Sequence, residues 1–161
     1  MTEKIIQKAV GTEVKTFPVP FSLGEIKENF TNSPTKTTKE KIITQAINFH
    51  LQGNITEALK KYQYCISKGI NDYRVFFNYG VLLRDLGKLK EAELSTQKSI
   101  QLKSDFPDAY LNLGNILKDL GKLKEAELST RKAIQLQPDF ARAHSNLGNI
   151  LRDLGQLKEA E

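Results

Sequence analysis

Apolar residues recur at spacings of three and four through much of the chain, the signature of helices with one buried stripe. Between residues 107 and 140, Tyr110, Leu113, Leu117 and Leu120 mark one stripe. Gly121 then interrupts it, as a residue tolerant of positive φ does at a helix end. A second stripe runs through Leu123, Ala126, Ala133, Ile134 and Leu136 until Pro138 stops it. Small residues fall where such a pair would cross: Gly114 on the first helix, Ala126 and Ala133 on the second. The pattern predicts two helices joined by a tight turn. A pair this short cannot bury both stripes alone, so neighbouring copies must stack.

The sequence repeats at that scale. DLGKLKEAELST occupies Asp85–Thr96 and returns unchanged at Asp119–Thr130, and DLGQLKEAE begins at Asp153, each offset by 34 residues. Tyr73–Phe106 and Pro107–Phe140 are identical at 21 of 34 positions. Lys39–Asp72 keeps the register more loosely, with Gly53 matching Gly87 and Ala58 matching Ala92. The organisation is therefore a leader, residues 1–38, followed by an array over 39–161. The array divides into 39–72, 73–106, 107–140 and a partial unit, 141–161.

These units resemble the tetratricopeptide repeat family. Tyr110, Leu113, Gly114, Leu117, Ala126, Thr130 and Pro138 stand at the family's pattern positions. Leu117 and Thr130 depart from it, because the family usually places large aromatics there. Leu83, Leu151 and Thr96 depart in the same way, whereas the first unit keeps Tyr62. The resemblance covers about three quarters of the chain. It implies an all-α, right-handed helix-turn-helix solenoid behind an irregular N-terminal leader, with a thinner core where the aromatics are missing.

Composition narrows the chemistry. The 161 residues are 39% apolar and 27% charged, as in a soluble folded protein. Cys65 is the only cysteine, which excludes an internal disulfide and a Cys-cluster metal site, and His50 and His144 are the only histidines, which leaves almost nothing for a triad or a multi-His metal site. No catalytic residue, metal or cofactor is expected, and the chain reads as a cytoplasmic binding module. Cys65 aligns with Ser99 and Ala133, a small helix-crossing position, and so reads as a packing thiol. His144 takes the place of Tyr110, which predicts a core or partly buried ring. His50 lies in the last turn of the first helix, with no second ligand at helical spacing.

The leader differs in kind. Two prolines at spacing two in Thr16–Phe21 impose extended geometry. Ser22 and Glu25 form a capping signature, with Phe21 and Ile26 as a staple and Leu23, Ile26 and Phe30 on one face. TNSPTKTT (31–38) reads as a linker. Thr37 and Glu40 are placed as a capping box for the first repeat helix. Residues 17–30 read as a cap over the first unit or as a tethered peptide that binds a partner.

In the family that this array resembles, the first helix of each pair lines a concave face. That implies a peptide-binding groove made from places 2, 5, 6, 9, 12 and 13 of each unit. The candidate groove residues are Arg74, Phe77, Asn78 and Arg84, then Asp108, Asn112, Asn115 and Lys118, then Arg142, Asn146, Asn149 and Arg152. Val81, Asp85, Leu111, Asp119, Ser145 and Asp153 complete the set. Asn recurs once per unit at Asn78, Asn112 and Asn146, and an amide offers the donor and acceptor that an extended backbone presents. With helices about 8–10 Å apart and a strand advancing about 3.3 Å per residue, the ladder would clasp roughly every third ligand residue. It resembles the repeat arm of O-linked N-acetylglucosamine transferases. The competing reading is a helix-to-helix hydrogen bond. The clasp predicts that Asn78→Ala with Asn112→Ala abolishes peptide capture at an unchanged melting temperature.

A clamp for chaperone C-termini would need Lys where this chain has Ile43 and Phe77, so Asn112 and Arg142 alone leave it incomplete. The formal charge of +5 comes from 24 Lys and Arg against 19 Asp and Glu. The excess lies in the leader and first two units and forms no one-signed stripe with aromatic platforms, so nucleic acid is not an expected partner. No run approaches the length of a membrane span. The chain stops at Glu161, midway through a helix, which is expected to leave Leu147, Ile150, Leu151, Leu154 and Leu157 uncovered. This suggests a fragment, or self-association through that end. The expected function is a scaffold that binds another protein or an extended peptide. The alternative is the recruiting arm of a glycosyltransferase, sulfotransferase or methyltransferase, since bacterial arrays resembling this one often precede such domains.

Overall fold

The computed structural model describes residues 35–155, and within them every regular element is a helix. Seven are present: α1 (Lys36–Leu51), α2 (Ile55–Ser67), α3 (Tyr73–Asp85), α4 (Leu89–Leu102), α5 (Pro107–Asp119), α6 (Leu123–Leu136) and α7 (Ala141–Asp153). They form three antiparallel-type pairs and the first helix of a fourth, stacked as a solenoid. The leader motifs of residues 16–34, and Leu157, lie outside the described residues.

Helix α1 begins slightly earlier than the capping box predicts. Thr35 is its N-cap, and the Thr35 side chain accepts the backbone N–H of Thr38 at 3.3 Å. Asn54 and Asp72 cap α2 and α3 with their side chains, and Pro107 opens α5 at a position where a missing N–H costs nothing. Each pair turns at a glycine with positive φ, +74° at Gly53, +73° at Gly87 and +75° at Gly121. At Gly121 the turn closes with Gly121 N–H on Lys118 O and Lys122 N–H on Leu117 O, so the last carbonyls of α5 are satisfied.

The small crossing residues bring paired helices into backbone contact. Ala58, Ala92 and Ala126 are fully buried, as are Cys65, Ser99 and Ala133 one helical stretch later. Gly114 has no room for a side chain. A Cβ there would run into Thr130 Oγ1 and approach Ala126 O to 3.2 Å. The missing aromatics are thus replaced by a closer approach, with Thr96 and Thr130 fully buried beneath Gly80 and Gly114. Where Tyr62 keeps the aromatic, the glycine place holds Ala46.

No single core forms. Ile43, Ala46, Ala58, Tyr62, Cys65 and Val75 make one cluster; Leu83, Ala92 and Ile116 another; Leu113, Leu117, Ala126 and Ile150 a third. Each joins one pair to the next, as stacking requires. The expectation of an uncovered end is corrected within the described residues. Ile150 and Leu151 are buried, while Leu147 and Leu154 are half-buried. The third cluster takes Ile150 into contact with α5 and α6.

Candidate functional site

The odd-numbered helices touch one another along one side, α1 with α3, α3 with α5 and α5 with α7, whereas no two even-numbered helices meet. A stack whose helices are closer on one side curves towards that side. The first helix of each pair therefore lies on the inner curve. Leu111, Asn115, Arg142, Ser145, Asn146 and Asn149 line an open cleft between α5 and α7 on that face. All six belong to the groove set.

The charged groove residues are bound to one another across the repeats. Arg74 makes two hydrogen bonds to Glu40, at 2.8 and 2.9 Å, and also pairs with Asp72 at 2.8 Å. Arg142 pairs with Asp108 and Arg84 with Asp119, each at 2.7 Å. Arg152 donates to Asn149 Oδ1 at 2.8 Å, and Arg142, at the other end of α7, also lies 5.0 Å over the Phe140 ring. Lys118 is half-buried on the same helix as Asn115. Glu40 was not among the candidate residues. The signal for it was the alternation Glu40, Arg74, Asp108, Arg142 at one place of successive units.

These pairs set the local proton affinities. The hydrogen bond from Arg74 holds the Glu40 carboxyl below its ordinary value. Burial alone would raise the Asp72 carboxyl, but bonds from the Arg74 side chain and backbone leave it lowered. Arg74 is shifted further up by Asp72 first and Glu40 second, so it stays charged throughout.

The three Asn residues do not behave alike. Asn112 is buried, and its Nδ2 donates to Thr96 Oγ1 of the preceding unit at 3.0 Å. Asn146 repeats the contact with Thr130 Oγ1 at 3.3 Å. Asn78 has Tyr62 sixteen residues before it instead of Thr, and turns back to donate to Arg74 O at 2.8 Å. Two rungs of the ladder are therefore links between stacked units. Removing Asn112 should cost stability, contrary to the unchanged melting temperature that the clasp predicts, because a buried donor–acceptor pair would be broken. In the sequence, the threonines that accept these bonds register only as a loss of aromatic bulk.

Phe77 is half-buried and packs edge-on against Phe106 at 4.8 Å, and Phe106 also meets Tyr73 at 5.2 Å. His144 is exposed, not a core ring, with Nε2 2.8 Å from Pro138 O; the short imidazole reaches back over the α6–α7 connection instead of inward. His50 is half-buried edge-on to Tyr62 at 6.2 Å, and burial lowers its pKa. Burial likewise pushes the Cys65 thiol up, which disfavours the thiolate. Among the described residues no group of three or more His, Cys, Asp or Glu could hold a metal ion, and no helix is long and apolar enough to cross a membrane.

Three family models, each described as Tetratricopeptide repeat, match residues 73–106, 107–140 and 130–161. Together they take in more than half of the chain. No curated protein sequence matches it. Among solved structures, MamA from Desulfovibrio magneticus RS-1 superposes with a TM-score of 0.71 at 19% identity, over 78% of this chain and 71% of that one. The first repeat domain of Spaghetti (RPAP3), bound to the HSP90 peptide SRMEEVD, gives 0.71 at 20% identity, over 76% and 98%. A mutant Thermobaculum terrenum O-GlcNAc transferase gives 0.68 at 22% identity, over 73% of this chain and only 23% of that one. At these identities the likeness is one of fold.

Proposed function

Because this chain belongs to the tetratricopeptide repeat family, we propose that it is a protein-interaction scaffold that holds an extended peptide against its odd-numbered helices. The observation that carries this reading is the cleft between α5 and α7. Asn115 is half-buried there, and neither end of its amide makes a hydrogen bond among the described residues. Its neighbours Ser145 and Asn149 keep a hydroxyl and an amide N–H in the same state. Polar groups left open in a concave cleft are what a main chain in extended form can use. The RPAP3 domain, a neighbour in fold, was solved with a peptide bound, which supports the class of partner. Capture of a chaperone tail is not part of the proposal, since Ile43 is buried and Phe77 is committed to the aromatic cluster where a clamp would need Lys.

The test is site-specific photocrosslinking in living cells. A crosslinker replacing Asn149, on the odd-helix face, should capture discrete polypeptides. The same group at Gln101, exposed on α4, should not. Equal capture at both, or capture at Gln101 alone, would remove the odd-helix face from the account.

A further inference from the structure

The odd-helix face changes character along the array. At one place of successive units stand Ile43, Phe77, Leu111 and Ser145; at another, Ile47, Val81, Asn115 and Asn149. Both columns pass from apolar to polar in the same direction. At the second unit, Phe77 stands beside Phe106 and Tyr73 in an aromatic group, with Lys103 Nζ 4.7 Å over the Tyr73 ring. At the fourth unit the same two columns present a hydroxyl, Ser145, and an amide, Asn149.

The chemistry of the polar end is balanced. Asn115 and Ser145 have both donor and acceptor capacity open; Asn149 Nδ2 is open, because only its Oδ1 accepts from Arg152. Asn146 donates to Thr130 through Nδ2 and keeps Oδ1 open. Open donors and open acceptors share one cleft, and the one cation among its described lining residues, Arg142, already pairs with Asp108. Across the face, Arg74, Arg84, Lys118, Arg142 and Arg152 are matched in number by Glu40, Asp85, Asp108, Asp119 and Asp153. Arg74, Arg84 and Arg142 already pair with Glu40, Asp119 and Asp108, and Lys118 and Arg152 are offset by Asp85 and Asp153, so carboxylates and cations alike meet a face of mixed sign. No one-signed field exists to draw either.

We propose, resting on the groove reading above, that this face takes an uncharged extended peptide in a fixed orientation. An aliphatic or aromatic side chain of the peptide seats against Phe77 and Val81. A following stretch rich in Ser, Thr, Asn or Gln lies on Asn115, Ser145, Asn146 and Asn149. The match of apolar to apolar and of amide to amide sets the direction, since reversal would put the polar stretch on Phe77 and leave the cleft amides facing hydrocarbon.

The experiment is selection of a random dodecapeptide phage library on the immobilised full-length chain. Enriched peptides should lie within one charge of neutrality and carry an apolar residue at one end of a hydroxyl- and amide-rich run. A synthetic copy should bind with a Kd that changes less than about threefold from about 0.05 to about 0.5 M NaCl, because no counterions are exchanged. Ser145→Leu with Asn149→Val places apolar residues at exposed and half-buried positions, so the melting curve should hold while Kd for that peptide rises at least about tenfold. Selection on this variant should turn to peptides apolar at both ends. Acidic or basic winners on the original chain, or an unchanged selection on the variant, would overturn the inference and leave the groove reading standing. Failure to enrich any peptide, with no capture at Asn149 either, would overturn both.

Discussion

Replacing Thr96 by Val removes one hydroxyl and keeps nearly the same volume. The hydroxyl lies fully out of water and accepts from Asn112, itself 7% exposed, at 3.0 Å. In the variant the Asn112 amide loses its partner where water cannot replace it, at about 1–3 kcal/mol. The added methyl returns up to about 0.8 kcal/mol by burial. That return is reduced because a γ-group here points at Gly80, whose own Cβ would stand only 2.5 Å from Thr96 Oγ1. The net loss is about 1–2 kcal/mol, or roughly 2–8 °C in Tm for a chain of this size. Far-UV circular dichroism during heating measures it. Thr96→Val with Asn112→Leu removes both polar partners, so the double variant should lose less than the two single losses summed. An unchanged Tm for Thr96→Val, or strict additivity, would refute the claim that the pair holds unit to unit.

Gly114→Ala gains about 1 kcal/mol in helix propensity but forces a methyl onto Thr130, which costs about 1–3 kcal/mol, so chemical denaturation should show a net loss that Thr130→Ala partly restores. Tyr62→Phe should leave stability equal or raise it by up to about 1 kcal/mol, since the buried Tyr62 hydroxyl has no hydrogen-bond partner among the described residues; a clear loss in urea unfolding would contradict this. Glu40 and Asp72 have carboxyls lowered in the folded state, so their contribution is complete above the unfolded values near 4.5 and 3.8 and fades as pH falls through the lower folded ones. Asp72→Asn should flatten that acid limb in a stability–pH series; it keeps the Oδ1 acceptor of the α3 cap but removes the charge paired with Arg74, and so should cost about 0.2–1 kcal/mol at neutral pH.

Much of the fold was legible because its determinants are local and periodic. The 34-residue register fixed the helix pairs, and the glycines in the turns adopt the positive φ that their place demanded. Gly114, Ala126 and Ala133 marked the crossings, because only small residues let backbones approach. Less was legible at the binding face. A single Asn per unit is compatible with an open rung or a buried link, and periodicity does not separate them. His144 shows the same gap: its place predicted burial, but the shorter, polar ring found a backbone carbonyl at the surface.

The sequence by itself determined the repeating unit, its two helices, the turns between them, and the scarcity of Cys and His. Tertiary structure decided which way the polar side chains point. Thr96 and Asn112 are sixteen residues apart and in different units, and only the stacked geometry brings hydroxyl to amide. Glu40 meets Arg74, and Asp108 meets Arg142, across a full repeat. Such contacts depend on the distance between neighbouring helices, which packing sets through Gly80, Gly114 and the buried threonines. The curvature that gathers Leu111, Asn115, Ser145 and Asn149 into one cleft has the same origin.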